Sequence, residues 1–227
     1  MPARVLGTLT IGQAPRADVT PIIDRHVPAE VRRIHRGVLD GLPRAEIDDR
    51  YRPEPAEAVL VTRLQDGTEV ALSRRRMRDG VQQALATLEA DGADVILLLC
   101  TGTFEGLGCG RAWLVEPDHI IPGTVAGLVE HRQLGVIVPI AGQIESERDK
   151  WHGLARPPLF DTVSPYSAAS AAVREVGAAL RQRGAAAILL DCIGFTEQHR
   201  AALAPVGLPV ILSNAVVAKA VGELFGG

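Results

Sequence analysis

The chain has 227 residues, 47% hydrophobic and 22% charged, with a formal net charge of -3 at pH 7. This suits one large or two small globular domains whose core needs no staples. The charge balance excludes nucleic acid and anionic membrane surfaces as expected partners.

The first strand is expected at Val5 to Ile11. Ala58 to Leu64 and Thr68 to Ser73 flank Gln65-Asp66-Gly67, a hairpin signal because Asp-Gly suits a tight turn with positive φ. Met77 to Ala90 has helical spacing, with Val81, Leu85 and Leu88 on one side and Gly92 as the stop. Val95 to Leu99 is a continuous apolar run, as for a strand buried on both faces of a parallel sheet. Val125 to Val129 belongs to a further helix, and Ala168 to Arg183 and Ala215 to Phe225 read as helices. Gly135 to Val138, Ile188 to Leu190 and Val210 to Leu212 are further strands. Alternating strands and helices imply an α/β fold with parallel sheets. No stretch has the roughly 18 apolar residues of a membrane helix, and the N-terminus lacks the pattern of a signal peptide, so the cytoplasm is the expected location.

The chain also repeats itself. Gly92 to Cys100 matches Gly184 to Cys192 without a gap, at an offset of 92. The same offset sets Ile120-Ile121-Pro122 against Leu212-Ser213-Asn214, and Val125-Ala126 against Val217-Ala218. An offset of 130 sets Ile11-Gly12-Gln13 against Ala141-Gly142-Gln143. Two similar α/β lobes account for these matches, with an insertion in the first half around residues 36 to 73. In open α/β sheets, ligands bind beyond the carboxyl ends of the strands. Cys100 and Cys192 stand there, so two facing lobes would point both thiols into one cleft.

Three cysteines, Cys100, Cys109 and Cys192, make a disulfide framework unexpected. There is no paired Cys-x-x-Cys or His spacing for zinc, no glycine-rich nucleotide loop and only two lysines, Lys150 and Lys219, so neither metal nor cofactor is expected. Two thiols can supply a base on one face of an acidic carbon and an acid on the other. The thiolate needs a lowered pKa, which strand-end amides can provide. Thr101-Gly102-Thr103 after Cys100 can present such amides; Ile193-Gly194-Phe195 after Cys192 is less polar. Asp191 can orient groups or raise the Cys192 pKa. Cys109 has no partner in the repeat and reads as structural.

Other candidates lie at the same strand ends. Thr10, Gly12, Gln13 and Arg16 can bring a hydroxyl, amides and a guanidinium to the cleft, and Arg binds carboxylates in bidentate fashion. Ser213-Asn214 is expected to cap a helix while facing the ligand. Ser73-Arg74-Arg75 either clamps an acid substrate or forms a solvated turn. His199 is a remote partner for Cys192 in a nucleophile pair, and His119 reads as a loop residue.

At these residues the sequence resembles the AroM family. The matching segments are Thr10 to Arg16, Ser73 to Arg75, Val95 to Thr101, Ile120 to Pro122, Gly135 to Pro139, Leu190 to Phe195 and Leu212 to Asn214. That family in turn resembles the aspartate/glutamate racemase superfamily, with hydantoin racemases, maleate isomerases and arylmalonate decarboxylases. The resemblance implies two pseudo-symmetric Rossmann-like (flavodoxin-like) lobes with the active site in the cleft between them. Lobe one would hold residues 1-121 and 214-227, with the hairpin near 58-73; lobe two would hold 122-213. The helix after Pro122 would be the first crossing between lobes. The superfamily's catalytic cysteines map onto Cys100 and Cys192. Thr10, Gly12, Gln13, Thr101, Gly102, Thr103, Gly194, Ser213 and Asn214 are then expected to hold substrate, with Arg16, Arg74 and Arg75 as further anion contacts. The expected activity is a cofactor-independent racemase or isomerase acting on a small carboxylate or hydantoin-like molecule. A decarboxylase and a non-catalytic metabolite-binding protein are the alternatives. The superfamily also implies a homodimer.

Overall fold

The computed structural model describes residues 4–226. The first half runs β1 (Val5–Thr10), α1 (Thr20–Ile23), β2 (Arg32–Gly37), α2 (Arg44–Tyr51), β3 (Val59–Arg63), β4 (Glu69–Ser73), α3 (Arg74–Ala90), β5 (Val95–Leu99), β6 (Trp113–Val115) and α4 (Pro117–Val129). The second runs β7 (Leu134–Val138), α5 (Ile144–Arg148), β8 (Leu159–Thr162), α6 (Ser170–Gln182), β9 (Ala187–Leu190), α7 (Glu197–Leu203), β10 (Val210–Leu212) and α8 (Ser213–Phe225). Two four-stranded parallel sheets result, in the orders β2-β1-β5-β6 and β10-β9-β7-β8. β3 and β4 form a separate antiparallel hairpin. It turns at Gly67, whose φ of 92° is open to glycine and strained for other residues.

The apolar run of β5 shows why the sheet is buried on both sides. Its side chains alternate. Val95, Leu97 and Leu99 join a core shared with the second sheet, while Ile96 and Leu98 pack under the hairpin and α3. Each such buried side chain is worth roughly 1.5–3 kcal/mol in apolar transfer. Val81, Leu85 and Leu88 of α3 are buried, as the helical spacing predicts. α8 packs against α1 and α4, so the last helix returns to elements of the first half. Among the described residues no helix is long and apolar enough to cross a membrane.

Several expectations need correction. The sequence does not mark three edge strands, β2, β6 and β8: β2 is Arg-Arg-Ile-His-Arg-Gly, and β6 and β8 are only three and four residues long. The repeat holds for β5 against β9 and then breaks. After Cys100 the chain makes a long loop and β6 before α4 starts at Pro117, so Ile120-Ile121-Pro122 lie inside a helix. Leu212-Ser213-Asn214, by contrast, join the end of β10 to the start of α8. The helix that the sequence places after Pro122 is α4, which contains Pro122 instead of following it. His119 is in the first turn of α4, beside Glu116, and not in a loop.

Candidate active site

Cys100 directly follows β5, and Cys192 follows β9 after Asp191. Each is the first residue of a Cys-x-Gly turn. The Gly194 amide donates to the Cys192 sulfur at 3.4 Å, and the Gly102 backbone acts on the Cys100 thiol in the same sense, favouring its anion. Both thiols are buried, Cys100 at 8% and Cys192 at 9% exposure. Here the structure overturns the expected lowered pKa. Burial pushes Cys100 up to about 12 and Cys192 up to about 11. The glycine amides act in the opposite sense, and desolvation outweighs them. The thiols also feel each other: charge on Cys192 raises Cys100.

Arg16 and Tyr166 stand beside Cys192. Arg16, from the loop after β1, is 5% exposed and forms a two-pronged pair with Asp18 at 2.8 and 2.6 Å. Burial by itself would lower the guanidinium pKa; Asp18 and Tyr166 outweigh it and hold the charge in place. Burial likewise favours the neutral Asp18 carboxyl, yet Arg16 keeps its pKa below the ordinary value. Tyr166, from the loop after β8, accepts from Arg16 at 3.3 Å, and its oxygen lies 3.9 Å from the Cys192 sulfur. Burial raises the phenol well above its ordinary pKa. Gly194 makes this approach possible: a Cβ there would stand 2.4 Å from the Tyr166 oxygen.

The hairpin covers the other thiol. Leu60 of β3 presses on Gly102, where a Cβ would meet Leu60 Cδ2 at 2.5 Å and the Cys100 sulfur at 3.5 Å. Thr62 of β3 is fully buried against Gly12, and its hydroxyl has no hydrogen-bond partner among the described residues. The hairpin is tied to both halves, through Gln65 to Gln13 and Ala14 and through Glu69 to Ser164.

Beneath the two thiols lies a buried charge cluster. Lys150 Nζ is 2.6 Å from Asp191 Oδ2, is paired with Glu147, and donates to the Thr101 carbonyl at 3.3 Å. The Thr101 hydroxyl donates to the Asp191 carbonyl at 3.4 Å, and Ser213 donates to the Asp191 carboxylate at 3.2 Å. Asn214 donates to the carbonyls of Ile193 and Phe195. Among the described residues no group of three or more His, Cys, Asp or Glu side chains is placed to hold a metal ion.

The family model described as AroM protein matches residues 6–225. The chain belongs to the AroM family. A search of curated proteins finds no match. Among solved structures, this AroM chain is similar to a glutamate racemase from Francisella tularensis subsp. tularensis SCHU S4. That match has 13% identity and a TM-score of 0.64, covering 99% of this chain and 81% of that one. A maleate isomerase from Pseudomonas putida S16 matches at 11% identity and TM-score 0.64, covering 98% and 93%. An unliganded arylmalonate decarboxylase matches at 14% and 0.59, covering 99% and 93%. These likenesses show a shared fold.

Within this AroM chain, the residues singled out from sequence divide. Cys100, Cys192, Arg16, Gly102 and Gly194 come together. Thr101, Ser213 and Asn214 support the thiol loops from behind through the bonds named above, and the Asn214 side-chain oxygen has no partner among the described residues. Ser213 is not a helix N-cap, since Leu212 holds that position. Thr10 accepts from the Gly12 amide at 3.1 Å, closing its own turn. Gln13 is spent on Leu39, Leu42 and Gln65 and so clamps the hairpin. Arg74, Arg75 and Thr103 line a separate groove of about 840 Å³. Arg74 and Arg75 open α3, with Ser73 as its N-cap, and Arg75 pairs with Glu57. His199 belongs to a capping box with Thr196, which removes it as a base for Cys192. Cys109 is half-buried in the loop before β6. Sequence reasoning missed Tyr166, Asp18, Glu147, Lys150 and the covering pair Leu60 and Thr62. Only Arg16-x-Asp18 and Glu147-x-x-Lys150 carry a local charge-pair signal.

Proposed function

We propose that this AroM chain is a cofactor-independent racemase or isomerase for a small molecule carrying a carboxylate or hydantoin-like group next to an acidic C–H. In this reading, residues 1-121 with 214-227 form one lobe and 122-213 the other, with α4 and α8 carrying the change between them. The observation that supports it most is the convergence of Cys100 and Cys192 from corresponding strand ends, each sulfur facing a glycine amide. One sulfur acts as thiolate and takes the proton from carbon, leaving an enolate-like carbanion. The opposing thiol gives its proton to the other face of that carbon, and the roles are exchanged for the next turnover. Burial makes each thiolate a strong base once it is formed. Gly102 and Gly194 amides steady the sulfur charge, while Arg16 and Tyr166 stand where substrate anion would meet Cys192. Leu60 and Thr62 must shift to admit substrate. A homodimer is part of the same reading.

The asymmetry around the sulfurs favours a second reading. Cys192 alone has a phenol and a guanidinium beside it, while Cys100 lies under Leu60. A decarboxylase needs one protonating thiol and an apolar wall, which Cys192 and the Cys100–Leu60 side would supply. The test is a panel of chiral amino acids, hydroxy acids, hydantoins and substituted malonates in deuterated water, followed by NMR. Solvent deuterium entering the acidic carbon of recovered substrate, lost in both Cys100→Ser and Cys192→Ser, is the expected result. Carbon dioxide release that needs Cys192 alone would select the decarboxylase. Ligand binding without exchange, unchanged by both substitutions, would make the protein a binding module.

A further inference from the structure

Lys150 is one of only two lysines in the chain, and its side chain is 6% exposed. It sits with two carboxylates, Glu147 and Asp191, and its ammonium is 5.4 Å from the centre of the Trp151 ring. Its contacts reach both thiol loops. The Thr101 carbonyl that it holds belongs to the residue after Cys100, and the Asp191 carboxylate to the residue before Cys192. Thr101 closes the same link from its side by donating to the Asp191 carbonyl.

We propose that Lys150 is a positioning residue that locks the Cys100 and Cys192 loops into one unit, so that the two sulfurs keep a fixed relation. A buried ammonium is expensive unless it is paired, so one placed across two loops resists their separation. The carboxylates hold Lys150 protonated against the effect of burial. Glu147 is pushed upward by burial, opposed by Lys150 and reinforced by Asp191 and Asp118. Two acids against one base leave a single surplus charge that Glu147 can shed by taking a proton. The catalytic meaning of the lock rests on the thiol-pair reading; the lock itself does not need a substrate to be tested.

The experiment is the alkylation rate of Cys100, Cys192 and Cys109 by iodoacetamide across pH, read by peptide mass spectrometry on the native protein. In Lys150→Met the two loops part and admit the reagent, so the rates at Cys100 and Cys192 are expected to rise together by about tenfold, against the slowing at Cys100 that loss of the Lys150 charge alone would give. Cys109 stays unchanged, and Lys150→Arg restores slow labelling. General loosening would speed all three cysteines. Lys150→Met/Glu147→Gln returns the cluster to the single surplus negative charge of the wild type, now on Asp191, and is expected to recover melting temperature, yet labelling at both thiols is expected to stay fast. Wild-type rates in Lys150→Met, or a return to them in the double variant, would overturn the proposal, because Lys150 would then only balance charge. Failure of deuterium exchange with every substrate bears on the proposed reaction and leaves this labelling result standing.

Discussion

The Cys100 and Cys192 loops have the same backbone plan and different company. Both sulfurs follow a buried parallel strand and face the amide of a glycine two residues on. Around Cys100 the neighbours are Leu60, the like-charged Cys192 and Glu147, with Lys150 as the counterweight. Around Cys192, Arg16 and Tyr166 favour the anion and Asp191 opposes it. Burial dominates at both, yet it carries Cys100 to about 12 and Cys192 only to about 11. Repeated strands thus provide two equivalent places, and side chains from non-repeated loops decide which thiol ionises first. In the proposed reaction Cys192 is the resting base and Cys100 the resting acid.

Alkali should act on both loops at once and gives the largest effect. Below the ordinary thiol value of 9.0, folded and unfolded chains both hold these protons. Above it the unfolded chain releases them while the fold retains them until about 11 and 12, so stability falls as pH rises through that window. Tyr166 adds a loss of the same sign. Denaturant unfolding between neutral pH and 10.5 should show the fall, and Cys100→Ala/Cys192→Ala should flatten it. An equal slope in the double variant would assign the loss to other groups.

Arg16→Met sharpens the comparison from one side. It strands Asp18 in a mostly buried site and removes the cation from Cys192 alone. Loss of one partner of such a pair should lower stability by about 3 kcal/mol, measured by urea unfolding. The alkylation midpoint of Cys192 should rise toward that of Cys100. A midpoint that stays put would show that Arg16 plays no part in the difference between the thiols.

The two glycines should respond unequally to alanine. At Gly194 the new methyl meets the rigid Tyr166 ring, with ring carbons at 2.6 Å as well as the oxygen. Overpacking there should destabilise by roughly 1–3 kcal/mol. At Gly102 the obstacle is a leucine methyl, which can turn away, so Gly102→Ala should destabilise less by the same measurement. The reverse order would mean that the hairpin is held more rigidly than the Tyr166 loop.

Thr62→Val should have the smallest effect on the fold. The buried hydroxyl has no partner among the described residues, so replacing it with a methyl of similar shape should be neutral or stabilising, within about 1 kcal/mol. If Thr62 contacts ligand, this variant keeps its melting temperature and loses binding; unchanged binding assigns Thr62 to the cover alone.

Much of this was legible in the sequence because local rules suffice for it. The continuous apolar runs of β5 and β9 specify strands buried on both faces, and Asp66-Gly67 specifies the hairpin turn. Cys100 and Cys192 could be matched because the strands leading to them carry the same pattern. Edge strands such as β2 escaped, since a strand with one neighbour and an open side needs no apolar alternation. Tyr166 escaped for another reason. It follows the four-residue edge strand β8, and nothing nearby in sequence marks it as a neighbour of Cys192.

The sequence by itself determined the α/β class, the corresponding strand-end positions of Cys100 and Cys192 and the hairpin, because periodicity, turn chemistry and repetition are properties of adjacent residues. The tertiary structure decided the rest. Arg16 and Tyr166 are 150 positions apart, and Thr101 and Asp191 are 90. Whether a thiol is acidic depends on how much water and charge surround it, and those are fixed only when distant loops close over the sulfur.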